Sequence, residues 1–195
     1  MLKQSICTFA IISMIYGSTF GQVLNCSQVL KTKENETNLK RRGNYLHLLY
    51  ECFKANPYNI KQLPVPLGTA GGQMKVSYIV SIFNLLELSA QGMLVVMADI
   101  NFRWTDSYRK WNTSQIPVDK IQIPATEVWY PRFTMCNCRG DVCVIRPDDD
   151  TFVTISSNGK VSMTVTRKLA SDCDVILKYF PLDQQCCKMS FHMYA

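Results

Sequence analysis

Thiols are the most chemically loaded side chains in this sequence. Cys173 and Cys187 bracket a stretch holding Phe180-Pro181-Leu182-Asp183. A disulfide between them would close a short loop, removing unfolded-chain freedom worth about 3 kcal/mol. The loop would carry a proline that fixes φ, an apolar residue on each side of it and one acid, Asp183. That composition suits pressing against another surface. A second cluster, Cys136-Asn-Cys138-Arg139-Gly140-Asp141-Val-Cys143, offers thiols at closer spacing. Cys138–Cys143 would close a tight loop around Arg139, Gly140 and Asp141, a tripeptide of the integrin-recognition type. Zinc would need four well-spaced ligands, and the two histidines, His47 and His192, are not placed to complete a set. No metal site and no cofactor is therefore expected. No enzymatic activity is expected either, since the chain lacks a nucleophile–base–acid motif, a Gly-rich phosphate loop and an H-E-x-x-H helix. Asp148-Asp149-Asp150 alternate in direction on an extended chain and read as a solvated loop.

The compartment follows from the N-terminus. Lys3, an apolar run from Ile6 to Tyr16, and small residues at Thr19 and Gly21 form a secretory signal over residues 1–21. The run is too short to span a bilayer, which takes roughly 20 residues. Residues 22–195 are expected to form one domain. Its eight cysteines (Cys26, Cys52, Cys136, Cys138, Cys143, Cys173, Cys186, Cys187) read as disulfide-forming in an exported chain. Their pairing stays open among 105 connectivities, with Cys26–Cys52 one option and Cys136 and Cys186 unassigned or paired. N-x-S/T sequons at Asn25, Asn35 and Asn112 fit the same compartment. The formal net charge is +6, with basic residues scattered apart from Lys40-Arg41-Arg42, so no nucleic-acid partner is expected.

The elements that position these groups are mainly strands. Residues 38–54 carry helical spacing, with Leu46, Leu49, Tyr50 and Phe53 as the apolar stripe, and Asn56-Pro57 stops the helix. The period then becomes two. Val76, Tyr78, Val80 and Ile82 alternate with Ser77, Ile79 and Ser81. Leu94, Val96, Ala98, Ile100, Phe102 and Trp104 share a face opposite Asp99 and its neighbours. Asn158-Gly159 predicts a tight hairpin turn between Ile155 and Val161. Cys187, Met189, Phe191 and Met193 alternate again up to Ala195. One helix and many short strands predict a mainly β fold, a helix plus an immunoglobulin-like β-sandwich. The chain stops mid-strand, so the domain is expected to lack its last strands.

In order along the chain, these motifs resemble the extracellular ligand-binding domain of nicotinic acetylcholine receptor-like Cys-loop channels and the soluble acetylcholine-binding proteins. Trp104-Thr-Asp-Ser-Tyr-Arg-Lys-Trp111-Asn112 matches the family's W-T-D-x-Y-x-x-W-N with its glycosylation site, and Trp129-Tyr-Pro131 matches its W-x-P. The C-x13-C loop with F-P-x-D follows, and Phe191 opens its F-G-S-W segment. The resemblance implies a Cys173–Cys187 disulfide. It implies structural roles for Trp104, Trp111 and Trp129, and a coupling role for Phe180, Pro181 and Asp183. It also implies homologous subunits in a pentamer, a small cationic ligand between them, and a membrane-spanning channel domain downstream of Ala195. The chain would then sit on the extracellular face of the plasma membrane, or be secreted if it is a soluble module without a channel. The family's agonist box maps onto Tyr194, Asp99 and Cys136, where the family carries Trp, Trp and Tyr. Arg132 stands where an acid follows W-x-P.

Overall fold

The computed structural model describes residues 42–55, 60, 63–64, 74–140, 143–180 and 182–194, with helix side chains from Tyr45 to Lys54. The signal segment, Cys26, Asn25, Asn35, Asp141 and Pro181 lie outside the described residues.

Helix α1 (Arg42–Ala55) forms where the spacing predicts one, but on a different face. Leu46 is exposed and Tyr50 only half-buried, while Leu48, Leu49, Cys52 and Phe53 are buried. The expected stripe through Leu46 is thus displaced by a competing one, Tyr45, Leu48, Leu49 and Cys52, at the same i, i+3, i+4, i+7 spacing. Cys52, on this inward face, is disulfide-bonded; Cys26, its expected partner, lies outside the described residues.

Eight strands follow among the described residues: β1 (Ser77–Ser89), β2 (Met93–Thr105), β3 (Lys120–Pro124), β4 (Arg132–Met135), β5 (Val144–Ile145), β6 (Phe152–Ser156), β7 (Lys160–Asp172) and β8 (Phe191–Tyr194). They make a five-stranded sheet, β1-β2-β7-β6-β3, and a three-stranded sheet, β5-β4-β8. Every pairing is antiparallel. The mainly β sandwich with one preceding helix is as the sequence predicts. β1 runs past the predicted Ile82 because bulges between Ile82 and Asn84 and between Leu85 and Glu87 break the two-residue period that marks a strand. β8 is shorter than the predicted alternation. Before it, the Asn137 side chain takes the place of a ladder partner, donating to Lys188 O at 2.6 Å and accepting from Ser190 N–H at 2.8 Å.

The sheets meet on aromatic rings. Phe133 of β4 lies 5.2 Å from Phe102 on the opposing sheet, 4.6 Å from Tyr78 and 5.2 Å from Phe191 between centroids. Such pairs add about 0.5–1.5 kcal/mol each beyond their burial. At one end, the turn after β2 joins the helix to the sandwich. Trp104 and Trp129 meet edge-on at 5.9 Å, and the buried Trp111 donates from Nε1 to Val118 O at 2.7 Å. Arg109, also buried, donates to Phe53 O at 3.1 Å and to Glu127 O at 3.4 Å, with its guanidinium over the Phe53 ring. It thereby satisfies a last-turn carbonyl that the helix cannot pair internally. Tyr50 Oη donates to Glu127 Oε1 at 2.7 Å, and that bond, with some burial, holds the phenol's pKa above its ordinary value. Arg167 of β7 grips Asp148 through both guanidinium nitrogens, at 2.6 and 2.5 Å, and donates to Arg146 O at 2.7 Å. The bond from Arg167 pulls the Asp148 pKa below the usual carboxylate value.

The β6–β7 turn is pinned to the end of β2. Gly159 has φ +81°, and its carbonyl accepts from Asp106 N–H at 2.8 Å. A Cβ there would lie 2.5 Å from Asp106 O. Gly159→Ala combines a positive φ with a backbone clash and is expected to destabilise the fold by more than about 1 kcal/mol. Urea unfolding measures it, and an unchanged midpoint would show that the turn relaxes without cost.

Candidate ligand face and coupling loop

Cys173 and Cys187 form a disulfide with Cα atoms 4.9 Å apart. The loop begins where β7 ends, and its base is tied to the β1–β2 turn. Cys173 N–H donates to Gly92 O at 2.9 Å, and Gly92 has φ +79°. A Cβ on Gly92 would approach Cys173 O to 2.8 Å, so only glycine lets the two segments lie this close. Inside the loop, Gln185 acts as a strut. Its Oε1 accepts from Ile176 N–H, and its Nε2 donates to Ile176 O, both at 2.9 Å; Nε2 also donates to Asp183 Oδ2. Backbone bonds from Phe180 N–H to Leu177 O and from Leu182 N–H to Tyr179 O tighten the tip. The tip is apolar yet solvated: Tyr179 is 66% exposed, Phe180 74% and Leu182 91%.

Cys138 and Cys143 also pair, with Cα atoms 5.5 Å apart, closing the loop that carries Arg139 and Gly140. Arg139 faces back onto the protein. Its Nη1 donates to Gln91 O at 3.2 Å, its Nε lies 3.6 Å from Asp172 Oδ1, and its N–H donates to Ala170 O. This second loop therefore sits beside the base of the first. Cys136 carries an exposed thiol that joins no disulfide.

The outer face of the three-stranded sheet is set by parity. Phe133, Met135 and Ile145 point into the core, so Arg132, Thr134 and Val144 point out. Arg132 stands opposite Tyr194, and Thr134 opposite His192 and Val144. Cys136 continues the β4 side and donates its N–H to Ser190 O at 2.7 Å. Tyr194 and Cys136 thus lie at the two ends of β4. The Tyr194 ring packs edge-on against His192 at 4.3 Å. Asp99 is elsewhere, on the outer face of the five-stranded sheet between Ser81 and Thr166, and accepts from Thr166 Oγ1 at 2.7 Å. One chain therefore does not bring Asp99 to Tyr194; the two occupy different sheets. Asn112 is exposed, and its Oδ1 accepts from Ser114 N–H at 2.9 Å, leaving the sequon in a surface turn. Sequence reasoning missed Gln185 and Gly92. The glycine closing β1–β2 was the one available signal, whereas a glutamine within a loop carries none.

Comparison with known proteins completes the assignment. A family model described as the neurotransmitter-gated ion-channel ligand binding domain matches residues 46–195. The chain is 29% identical over 136 residues to acetylcholine receptor subunit alpha-1-B of Xenopus laevis, covering 68% of this chain and 29% of that protein. It is 29% identical over 137 residues to neuronal acetylcholine receptor subunit alpha-2 of Gallus gallus, covering 69% and 25%. It is 26% identical over 158 residues to acetylcholine receptor subunit alpha-like 2 of Drosophila melanogaster, covering 75% and 27%. The match thus spans less than a third of the length of these relatives. No helix among the described residues is long and apolar enough to cross a membrane. With the sandwich, the Cys173–Cys187 loop and the family match over most of its length, this chain belongs to the neurotransmitter-gated ion-channel ligand-binding domain family.

Proposed function

We propose that the chain is the extracellular ligand-binding part of a nicotinic receptor-like subunit in a pentameric ligand-gated cation channel, reached through a cleaved signal at residues 1–21. The observation that carries this reading is the solvated apolar tip at Tyr179, Phe180 and Leu182, held out by a disulfide and an internal glutamine. Large apolar residues gathered at a stiff protrusion cost hydration unless another surface covers them. A membrane domain beneath the sandwich would be that surface, and the loop would hand it the binding event. The ligand would lie between subunits, with Tyr194 and Cys136 from one and Asp99 from its neighbour. Of the rings that a quaternary ammonium box needs, these positions retain Tyr194 alone, so cation–π attraction of about 0.5–2 kcal/mol per ring is largely missing. A homologous subunit with a fuller set of rings would supply the high-affinity site in a mixed pentamer.

The test is electrical. In cells expressing the full coding sequence with homologous subunits, Phe180→Ala with Leu182→Ala should cut ligand-evoked current at least tenfold while leaving surface expression and ligand binding unchanged. Undiminished current would remove the coupling role. A soluble ligand-binding module would instead yield secreted oligomers and no current. Stiffness has its own check. Gln185→Ala should expose residues 174–186 to faster hydrogen exchange and proteolysis without moving the core melting transition, and unchanged exchange would show that the disulfide alone holds the loop.

A further inference from the structure

The outer face of the three-stranded sheet carries an unmet charge. Phe133 pairs with Ile145 and Thr134 with Val144. Continuing that register by one step sets Arg146 opposite Arg132, which itself stands opposite Tyr194. Arg132 and Tyr194 thus share one row, which Arg146, the first residue beyond β5, extends on the other side of Arg132. Directly opposed residues on one face have Cβ atoms about 4.5–5.5 Å apart, and like charges so placed repel. Both arginines are exposed, and neither side chain has an ion pair or hydrogen bond among the described residues. β4, β5 and β8 contain no acid to compensate. The nearest acid along the chain, Asp148, is held by Arg167 at 2.6 and 2.5 Å, and Asp149 and Asp150 form no ion pair with either arginine. Next to this pair, the Tyr194 ring, buttressed by His192, offers a half-exposed aromatic wall.

We propose that this face binds a small carboxylate ligand, with Arg132 and Arg146 gripping the carboxylate and Tyr194 packing against its uncharged body. Two guanidiniums present planar donor forks that match carboxylate geometry, and a bound anion turns their mutual repulsion into attraction. A quaternary ammonium would meet two unscreened cations on the same row and is disfavoured. The proposal names the ligand class for the face that the functional reading turns toward a neighbouring subunit, and rests on that reading for its biological meaning. Its test needs neither a pentamer nor a current, so the two can fail separately.

Sodium benzoate joins a carboxylate to a ring, and choline chloride is its opposite. Titrated calorimetrically into the full chain at constant ionic strength, benzoate should bind saturably at one site, and choline should not. Arg132→Gln and Arg146→Gln should each weaken benzoate at least tenfold, while Lys120→Gln, on β3 of the other sheet, should leave it unchanged. Both arginine variants should melt at or above the parent temperature, since each relieves a like-charge contact. Choline binding in place of benzoate, benzoate binding that survives both arginine substitutions, or no benzoate binding would overturn the proposal. So would a lowered melting temperature in both variants, which would make the arginines structural.

Discussion

Phe133 holds the two sheets together, because its ring meets Phe102 from the five-stranded sheet while touching Tyr78 and Phe191 on either side. β4 has only four residues and its sheet only three strands, so this packing rather than backbone pairing fixes where the small sheet sits. Removing a buried Phe ring costs about 3–5 kcal/mol, comparable with a large share of a domain's net stability. The Cys173–Cys187 bond joins the same two sheets. It ties the end of β7 to the segment leading into β8.

Much of this was legible in the sequence where one period persisted. The buried face of β2, from Leu94 to Trp104, followed from strict alternation, and the Asn158-Gly159 turn from its demand for positive φ. Legibility failed where two patterns overlapped or none ran long enough. In α1, Leu46 and Tyr45 begin equally good helical stripes, and the one that ends on the disulfide-bonded Cys52 is the one buried. In β1, bulges at Phe83 and Leu86 hide the second half of the strand. β5 has two residues, too few for any period. The candidate site divides along the same line. Cys173, Cys187 and the Phe180 tip announce themselves by residue type and spacing. Arg146 becomes a neighbour of Arg132 and Tyr194 only through a register that spacing cannot supply.

The cysteine content shows a related division of labour. Cys173–Cys187 and Cys138–Cys143 close loops at the same end of the sandwich, and the Arg139 contacts to Gln91 and Asp172 bind the second loop to the base of the first. A protrusion with an apolar tip would otherwise fold down and bury itself on its own domain. Bracing its base from two directions, with Gly92 packed flush beneath it, keeps the tip outward. Stiffness here is a property of several segments at once, which is why no single motif encodes it.

The same parity that buries Phe133 decides what the outer face can recognise. With residue 133 inward, residues 132 and 134 must point out. Antiparallel pairing then lines Arg132 up with Tyr194 on one side, and the β4–β5 register carried one residue past Ile145 sets Arg146 on the other. A one-residue slip of β4 would bury Arg132 and expose the ring that joins the sheets, so the core cannot tolerate it. The charge on the ligand face is therefore locked by hydrophobic packing rather than by any polar contact of its own. Exchanging the residue at position 132 changes the charge of this face without removing a hydrogen bond or ion pair of the described residues, since the Arg132 side chain is exposed and makes neither. Ligand preference and fold stability are separable in this domain, and adjacent residues of one short strand carry them.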